Sequence, residues 1–232
     1  MRPYEPYRGN VWRVIEQQYR PATRKLVDTN AEQSRLEDLI EANKPPMPTE
    51  CQHLDYQFAA PFRYGPYPGS SRFRRTGRTK GVYYASETSR TAAVETAWNK
   101  VKFFRQSKGT PYPANPTDHT AVQAAIAVPL SINLMHPAMA DPAWEHPSDY
   151  APCCALADEV RAEGCEVIRY RAVRDPAAEA NLAVLTCRAF EQPRPIGTET
   201  WQILLQGGLV VLTNETLRQQ YEYAIGTQAL ET

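Results

Sequence analysis

Apolar and polar positions along the first third of the chain predict a strand, a helix and a long loop. The run 11–15 is almost wholly apolar and predicts a short first strand. Residues 31–43 carry two leucines and an isoleucine at helical spacing and are followed by Lys44-Pro45-Pro46, so an amphipathic helix should end there. Residues 49–80 are rich in Tyr, Pro, Gly and Arg without periodic apolar positions, which is typical of a loop.

The middle of the chain predicts a strand–helix–strand unit. Residues 81–85 predict a strand, and residues 86–106 predict a helix. The run 120–134 is apolar with β-branched ends and favours another strand. The apolar face of the helix comprises Val94, Ala97, Trp98 and Val101.

The last third predicts a further helix, two strands, a hairpin and a terminal helix. Gly164 follows the helix 149–163 at the position where a left-handed residue commonly ends a helix. Because strands and helices mix without regular alternation, we predict an α+β domain with mixed or antiparallel sheets and flanking helices. We expect one domain over 1–232 with a core at about 11–190. The remaining predicted strands are 165–172 and 182–189. A hairpin of 201–205 and 209–213 around Gln206-Gly207-Gly208 and a helix 215–223 follow, so we expect a C-terminal hairpin and helix within 200–225.

Charge and composition exclude several classes of protein. Lys plus Arg and Asp plus Glu both number 26, so bulk charge does not favour direct nucleic-acid binding. No apolar run reaches 18 residues and no apolar signal core opens the chain, so we expect no membrane segment and a reducing cytoplasm. The five cysteines lack a C-x-x-C pair and the four histidines lack ligand spacing, so we expect no metal site.

Common nucleotide and hydrolase motifs are also absent from the sequence. There is no G-x-G-x-x-G after a strand, no Walker A motif and no G-x-S-x-G. Residues 72–80 instead carry five cations and neither Asp nor Glu. The planar guanidinium group of arginine suits phosphate oxygens, so this stretch is a candidate pyrophosphate-binding site. A solvated basic loop, or a patch for an acidic protein partner, is the alternative.

The five cations of this basic stretch are Arg72, Arg74, Arg75, Arg78 and Lys80, and neither Asp nor Glu lies among them. Gly77 lies within the stretch and Gly81 follows it directly, and both allow the backbone to approach a ligand closely.

Tyr84 and Glu95 form a second candidate functional site. Tyr84 lies at the end of the predicted strand, and Glu95 follows 11 residues later in the predicted helix. A strand–turn–helix unit can bring both side chains to one pocket, and strand alternation sends Tyr83 to the opposite side. Glu95 is flanked at helical spacing by small residues and a tryptophan. The alternative is a solvated helix glutamate and a core tyrosine.

A longer pattern in the chain resembles the RES-domain family of bacterial toxin–antitoxin toxins. The resemblance runs from about Trp12-Arg13 to Phe190, and it depends on the order and spacing of its motifs together. These motifs are Arg72-Phe73, Gly81-x-x-Tyr84-Ala85-Ser86, Ala92-x-x-Glu95, Asp149-Tyr150 and Gly164-x-x-x-Ile168-x-Tyr170-x-Ala172-Val173-Arg174.

The resemblance implies a fold similar to that of ADP-ribosylating toxins and NAD as substrate, with no metal. It implies cleavage of the nicotinamide–ribose bond by hydrolysis or phosphorolysis, or transfer of ADP-ribose to a protein acceptor. It also implies an Xre-like helix-turn-helix antitoxin as partner. Among the residues matched to the family, Glu95, Tyr84 and Arg72 are the candidate catalytic set, and the candidate NAD-binding set is Arg13, Arg72, Phe73, Tyr84, Ala172 and Arg174.

One position departs from the family pattern. The family carries a serine in a Tyr-x-Ser-Val-Arg stretch, and here Ala172 occupies that position. One lost hydrogen bond is worth about 0.5–1.5 kcal/mol net, which weakens a site without necessarily abolishing it. Three alternatives follow from the missing hydroxyl: reduced hydrolysis, an altered acceptor, or an inactive homologue that only binds NAD or the antitoxin.

Overall fold

Eight strands form one sheet in the computed structural model, which describes residues 2–16, 26–64, 69–206 and 208–224. The strands are β1 (Tyr4–Glu16), β2 (Tyr83–Ser86), β3 (Thr117–Asn133), β4 (Val167–Arg171), β5 (Ala180–Val184), β6 (Gly197–Gln206), β7 (Leu209–Asn214) and β8 (Gln219–Ala224). Their order in the sheet is β1-β2-β5-β4-β3-β6-β7-β8. The helices are α1 (Asn30–Ala42), α2 (Tyr56–Arg63), α3 (Ser89–Gln106) and α4 (Ala151–Ala162).

Strand β3 makes the sheet close on itself. One of its edges pairs with β1, and the other edge pairs first with β6 and then, from Ser131 to Asn133, with β4. Because β1 also meets β2 at Trp12 and Ser86, the strands β1, β2, β5, β4 and β3 form a ring. Strands β6, β7 and β8 extend it. The β3–β4 pair is parallel and the others are antiparallel, so the predicted α+β class with a mixed sheet is confirmed.

Helix α3 packs on the part of the sheet that continues into β6 and β7. Thr88 begins the helix, because its hydroxyl accepts a hydrogen bond from the backbone N–H of Thr91. Ala93, Ala97 and Val101 are buried in a cluster with residues of β6 and β7. The predicted apolar face therefore packs as expected, with Trp98 only half-buried at its margin. None of the helices within the described ranges is long and apolar enough to cross a membrane.

The predicted C-terminal helix at 215–223 is wrong. Residues 215–218 form a turn in which Arg218 has a φ of 55°, and β8 follows and pairs with β7. Asn214 closes the turn, because its side-chain oxygen accepts from the backbone N–H of Leu217 at 2.9 Å. Tyr221 and Tyr223 lie two residues apart, so a strand places both on the hydrophobic cluster under α3, an arrangement that helical periodicity does not give.

The segment 49–80, predicted to be a loop, contains helix α2. Asp55 begins this helix by accepting from the backbone N–H of Gln57 at 2.9 Å, and Pro61 lies inside it. Phe58 is fully buried and stacks on Phe190 with a centroid distance of 4.8 Å. Tertiary packing of this aromatic residue therefore outweighs the local proline and tyrosine content.

A disulfide joins Cys51 to Cys187. The two cysteines are 136 residues apart, and their Cα atoms lie 5.3 Å from each other. The cysteine pattern and the expected reducing cytoplasm predict reduced cysteines, and the structure departs from that prediction at this pair. The pairing depends on a long-range contact that no local spacing indicates.

Candidate active site

A cavity of about 770 Å³ lies between α3 and the strands β1, β2, β4 and β5. This volume is within the range of about 300–1,000 Å³ that is typical of ligand pockets. Five of the residues proposed from the sequence line it together, although they are far apart along the chain: Arg13, Arg72, Tyr84, Glu95 and Arg174.

One transverse row of the sheet forms the floor of the cavity. Trp12 of β1 pairs with Ser86 of β2, Ser86 pairs with Asn181 of β5, and Asn181 pairs with Tyr170 of β4. Laterally paired residues project to the same face of a sheet. All four of these residues line the cavity, so the register of four neighbouring strands determines its composition.

The Glu95 carboxylate is held at both of its oxygens. Oε2 accepts from Arg174 Nη1 at 3.0 Å, and Oε1 accepts from Asn181 Nδ2 at 3.0 Å. The amide oxygen of Asn181 in turn accepts from the Ser86 hydroxyl at 2.6 Å. Because Ser86 occupies the amide oxygen, Asn181 presents its NH₂ group to Glu95. The carboxylate therefore has a defined orientation.

Arg174 lies between the carboxylate and an aromatic ring. Its guanidinium carbon lies 3.7 Å from the centroid of the Trp98 ring, which is a cation–π contact. Burial by itself lowers the pKa of Arg174, but the Glu95 carboxylate and the Tyr150 hydroxyl offset this effect, so the pKa is raised above its ordinary value. Arg174 is therefore a fixed positive charge. Its Nε atom is buried and has no hydrogen-bond partner among the residues described.

Tyr84 lines the cavity and anchors the segment that carries Arg72. Its hydroxyl accepts from the backbone N–H of Phe73 at 3.0 Å and lies 2.8 Å from the Ser71 hydroxyl. Burial raises the pKa of Tyr84, so the phenol stays neutral near pH 7. Tyr83 points into the core, where it is fully buried. Strand alternation thus places Tyr84, and not Tyr83, at the cavity.

Arg72 lines the cavity and is buried beside two tyrosine rings. Its Nη1 donates to the Trp144 carbonyl at 2.6 Å, and its guanidinium carbon lies 4.9 Å from the centroid of the Tyr150 ring. Nη2 is buried and has no hydrogen-bond partner in the part of the chain that the structure describes. An unpartnered guanidinium donor of this kind suits an anionic oxygen of a ligand.

Arg13 supports β2 from the neighbouring strand. Its Nη1 donates to the Tyr84 carbonyl at 3.1 Å, and its guanidinium lies over the Tyr83 ring at 5.2 Å from the centroid. Burial lowers the pKa of Arg13, but an arginine keeps its charge in proteins.

Positive charge exceeds negative charge on the cavity wall. The cationic wall residues are Arg13, Arg72, Lys100, Lys102 and Arg174, and the acidic ones are Glu16 and Glu95. Such a wall suits a ligand that carries phosphate groups. Of the basic stretch 72–80, only Arg72 reaches the cavity, whereas Arg75 pairs with Asp158 at 2.5 Å and Arg78 and Lys80 are exposed. The stretch as a whole therefore does not line this cavity.

The model of the RES domain matches residues 47–206, which is more than half of the chain. The chain belongs to the RES domain family. A solved structure, the MbcT–MbcA toxin–antitoxin complex of M. tuberculosis, is similar at 11% identity over 84% of this chain and 85% of that chain, with a TM-score of 0.47. No curated protein matches the chain.

Two predicted site residues of this RES domain lie away from the cavity wall. Phe73 is fully buried and packs against the Tyr170 ring at a centroid distance of 4.9 Å. Ala172 is also fully buried, and its backbone N–H donates to the Glu179 carbonyl at 2.7 Å. Neither residue is among those that line the cavity.

Asn181 contacts Glu95 in this RES domain, and the sequence patterns above do not predict it. Asn181 is 4% exposed and lies in a strand of otherwise apolar residues. Asparagine is depleted in strands, so an asparagine between Ala180 and Leu182 is a signal that could have indicated a functional position. The sequence predicts Ser86 at the start of a helix, and in the structure it is the last residue of β2. Across the described ranges, no cluster of three or more His, Cys, Asp or Glu side chains could hold a metal ion.

Proposed function

We propose that this RES domain is the toxin of a bacterial toxin–antitoxin pair and cleaves the nicotinamide–ribose bond of NAD. The observation that supports this most is the position of Glu95, a carboxylate with both oxygens held at 3.0 Å, inside a cavity with an excess of cations. A fixed negative charge stabilises a ribosyl cation, and the surrounding cations suit a pyrophosphate.

The residues divide into two groups in this proposal. Arg72 binds the pyrophosphate through Nη2, the donor that has no partner within the described residues, and Arg13 adds positive charge beside β2. Tyr84 orients the nicotinamide with its ring while its hydroxyl holds the Ser71–Phe73 segment. Glu95 contacts the ribose, where positive charge develops, and Arg174 and Asn181 hold its carboxylate.

The chemistry needs no strong general acid. The C1′–N bond breaks, its electron pair goes to the nicotinamide, and the cationic ring becomes neutral as it leaves. In hydrolysis a water oxygen then bonds to C1′ and the water loses a proton to solvent, and in phosphorolysis a phosphate oxygen takes the place of water. Glu95 stabilises the oxocarbenium-like transition state, so the protein contributes mainly orientation and electrostatics.

Ala172 is compatible with turnover in this proposal. The family serine would stand at a buried position outside the cavity wall, and the contacts of Glu95 do not involve residue 172. We therefore propose an active enzyme, with weaker hydrolysis or an altered acceptor as the consequence of the missing hydroxyl.

Release of nicotinamide from NAD by the purified protein tests the proposal. We expect Glu95→Gln to lower kcat by about 100-fold or more, because removal of one preorganised electrostatic group has that effect in other enzymes. Glu87→Gln is the matched control, since Glu87 is also bound by an arginine, Arg169, at 2.8 Å but does not line the cavity. Wild-type protein that binds and cleaves no NAD would refute the proposed function.

Transfer of ADP-ribose to a protein is the second candidate. The observation that favours it is Phe103, which lines the cavity and is 60% exposed, so it offers an apolar contact to an acceptor at the opening. NAD carrying a label in its adenosine part distinguishes the two reactions. Label that becomes attached to an added protein, with nicotinamide release dependent on that protein, supports transfer.

Inhibition by an antitoxin is part of the same proposal. A toxin that consumes NAD requires a partner, and the cationic wall favours an acidic segment that enters the cavity. The partner class that we propose is an Xre-like helix-turn-helix protein. Co-expression of the protein encoded next to this chain, followed by measurement of nicotinamide release, tests this part.

A further inference from the structure

Asp175 links the connection between β4 and β5 to the first turn of α3 through hydrogen bonds. The side chain of Asp175 is fully buried. Its oxygens accept from Arg90 Nη1 at 3.1 Å, from Arg90 Nη2 at 2.9 Å and from the Thr91 hydroxyl at 2.7 Å. A bidentate arginine–carboxylate pair fixes direction as well as distance.

Arg174, the residue before Asp175, contacts the same helix about one turn further along. Arg174 contacts the Glu95 carboxylate at 3.0 Å and the Trp98 ring at 3.7 Å from its centroid. Thr91, Glu95 and Trp98 are spaced by four and three residues, so they share one face of α3. Two consecutive residues of the connection therefore contact one helix face.

Asp175 also shapes the connection itself. Its Oδ1 accepts from the backbone N–H of Ala177 at 3.0 Å, and its carbonyl accepts from the N–H of Ala178 at 2.7 Å. Ala178 has a φ of 52°, a conformation that an L-residue adopts at a cost. The contacts of one buried aspartate thus hold a strained turn in place.

The support extends to the C-terminal strand. Arg90 Nη1 donates to the Tyr223 hydroxyl at 3.0 Å, and Tyr223 belongs to β8. Strand β8 lies beyond residues 47–206, the part of the chain that the RES domain model matches. The arginine that orients Asp175 is therefore held by an element outside the matched region.

We propose that Asp175 is a positioning residue, which, through Arg90 and Thr91, holds Arg174 where it orients the Glu95 carboxylate. The inference rests on the proposed function for its kinetic consequence. Its structural consequence, the contact between Arg174 and Glu95, is independent of any substrate.

Asp175→Asn is the principal test. It retains the size of the side chain but removes the charge that attracts Arg90, which still has Glu179 at 3.4 Å. We expect kcat for nicotinamide release to fall by up to about 100-fold, since a displacement of about 1 Å at a catalytic group can cost that much. We expect a crystal structure of the variant to show the Arg174 Nη1–Glu95 Oε2 distance longer than 3.0 Å.

A double variant tests whether Asp175 acts through Arg174. If it does, Asp175→Asn combined with Arg174→Met should have the kcat of Arg174→Met alone, within about twofold. Multiplicative losses would overturn the inference, because independent sites are additive in free energy. Thr91→Val removes one of the three hydrogen bonds and is expected to lower kcat by about threefold, which keeps the inference testable if Asp175→Asn does not fold.

Glu87→Gln serves again as the control, because it breaks a bidentate arginine pair that does not touch Arg174. An equal loss of kcat in Glu87→Gln would overturn the inference, as would Asp175→Asn with unchanged kcat and an unchanged Arg174–Glu95 contact. If wild-type protein cleaves no NAD, the proposed function fails, and the crystal structure of Asp175→Asn still decides the inference.

Discussion

At the scale of single residues, the direction of one amide determines the environment of the candidate catalytic carboxylate. Asn181 has a donor and an acceptor group, and Ser86 engages the acceptor. The donor is thereby left for Glu95 at 3.0 Å. Arg174 supplies the second contact from the other side. The orientation of Glu95 thus results from side chains on three separate segments.

Asn181→Asp should impair turnover and change its pH dependence. The variant places a second carboxylate next to Glu95, and two carboxylates this close do not both ionise readily. We expect the acidic limb of the kcat profile to move to higher pH and kcat at pH 7 to fall about tenfold or more, since a hydrogen bond to a charged group is worth about 1.5–3 kcal/mol.

Asn214→Asp is the control for that variant. Asn214 is equally buried and donates to Glu199 at 2.7 Å, but it does not line the cavity. We expect it to lower stability while kcat and the pH profile stay as in the wild type. A parallel change in both variants would show that the effect of Asn181→Asp is not local to Glu95.

At the scale of secondary-structure elements, the entry into β2 depends on a close approach to α2. A Cβ atom at Gly81 would lie 1.7 Å from the Pro61 carbonyl oxygen, and the backbone of α2 cannot move away as a flexible side chain could. Strand β2 carries Tyr84 and Ser86, both of which line the cavity. The contact between α2 and the start of β2 therefore supports the site.

Gly81→Ala should destabilise the protein strongly. We expect the free energy of unfolding, measured in urea, to fall by about 3 kcal/mol, the upper part of the usual range for overpacking. Gly77→Ala is the comparison, because its Cβ would meet open space and only its φ of 65° is unfavourable. A loss of about 1–2 kcal/mol is expected there. Equal losses in the two variants would contradict the close-approach argument.

At the scale of the whole molecule, the ring of strands and the disulfide connect distant parts of the chain. Cys51 precedes α2 and Cys187 follows β5, and both belong to the cluster that contains Phe58 and Phe190. Because 136 residues separate the two cysteines, the bond restricts most of the unfolded chain. It therefore favours the folded state through the conformational freedom that the unfolded chain loses.

Reduction of the disulfide should lower the stability of the wild type. We expect the free energy of unfolding to fall by about 2–5 kcal/mol in dithiothreitol, by the loop-entropy argument. The double variant Cys51→Ala and Cys187→Ala should unfold identically with and without the reductant. Identical unfolding curves of the wild type under both conditions would show that the bond does not contribute.

The sequence by itself determined the features that local patterns specify, such as periodic apolar positions and a glycine at a helix end. Periodic apolar positions indicated helix α3, and Gly164 correctly marked the end of α4, where its φ is 86°. The spacing between Tyr84 and Glu95 correctly indicated that one strand–turn–helix unit brings both to a shared cavity. These features depend on neighbours within a few residues, which the sequence shows directly.

Only the tertiary structure decided which distant residues complete the cavity. Trp12, Ser86, Asn181 and Tyr170 form one row because four strands pair in a particular register, and a shift of one residue would turn each side chain to the other face. The terminal helix prediction failed for the same reason, since Tyr221 and Tyr223 gain their burial from β7 and α3. Local periodicity carries no information about either long-range pairing.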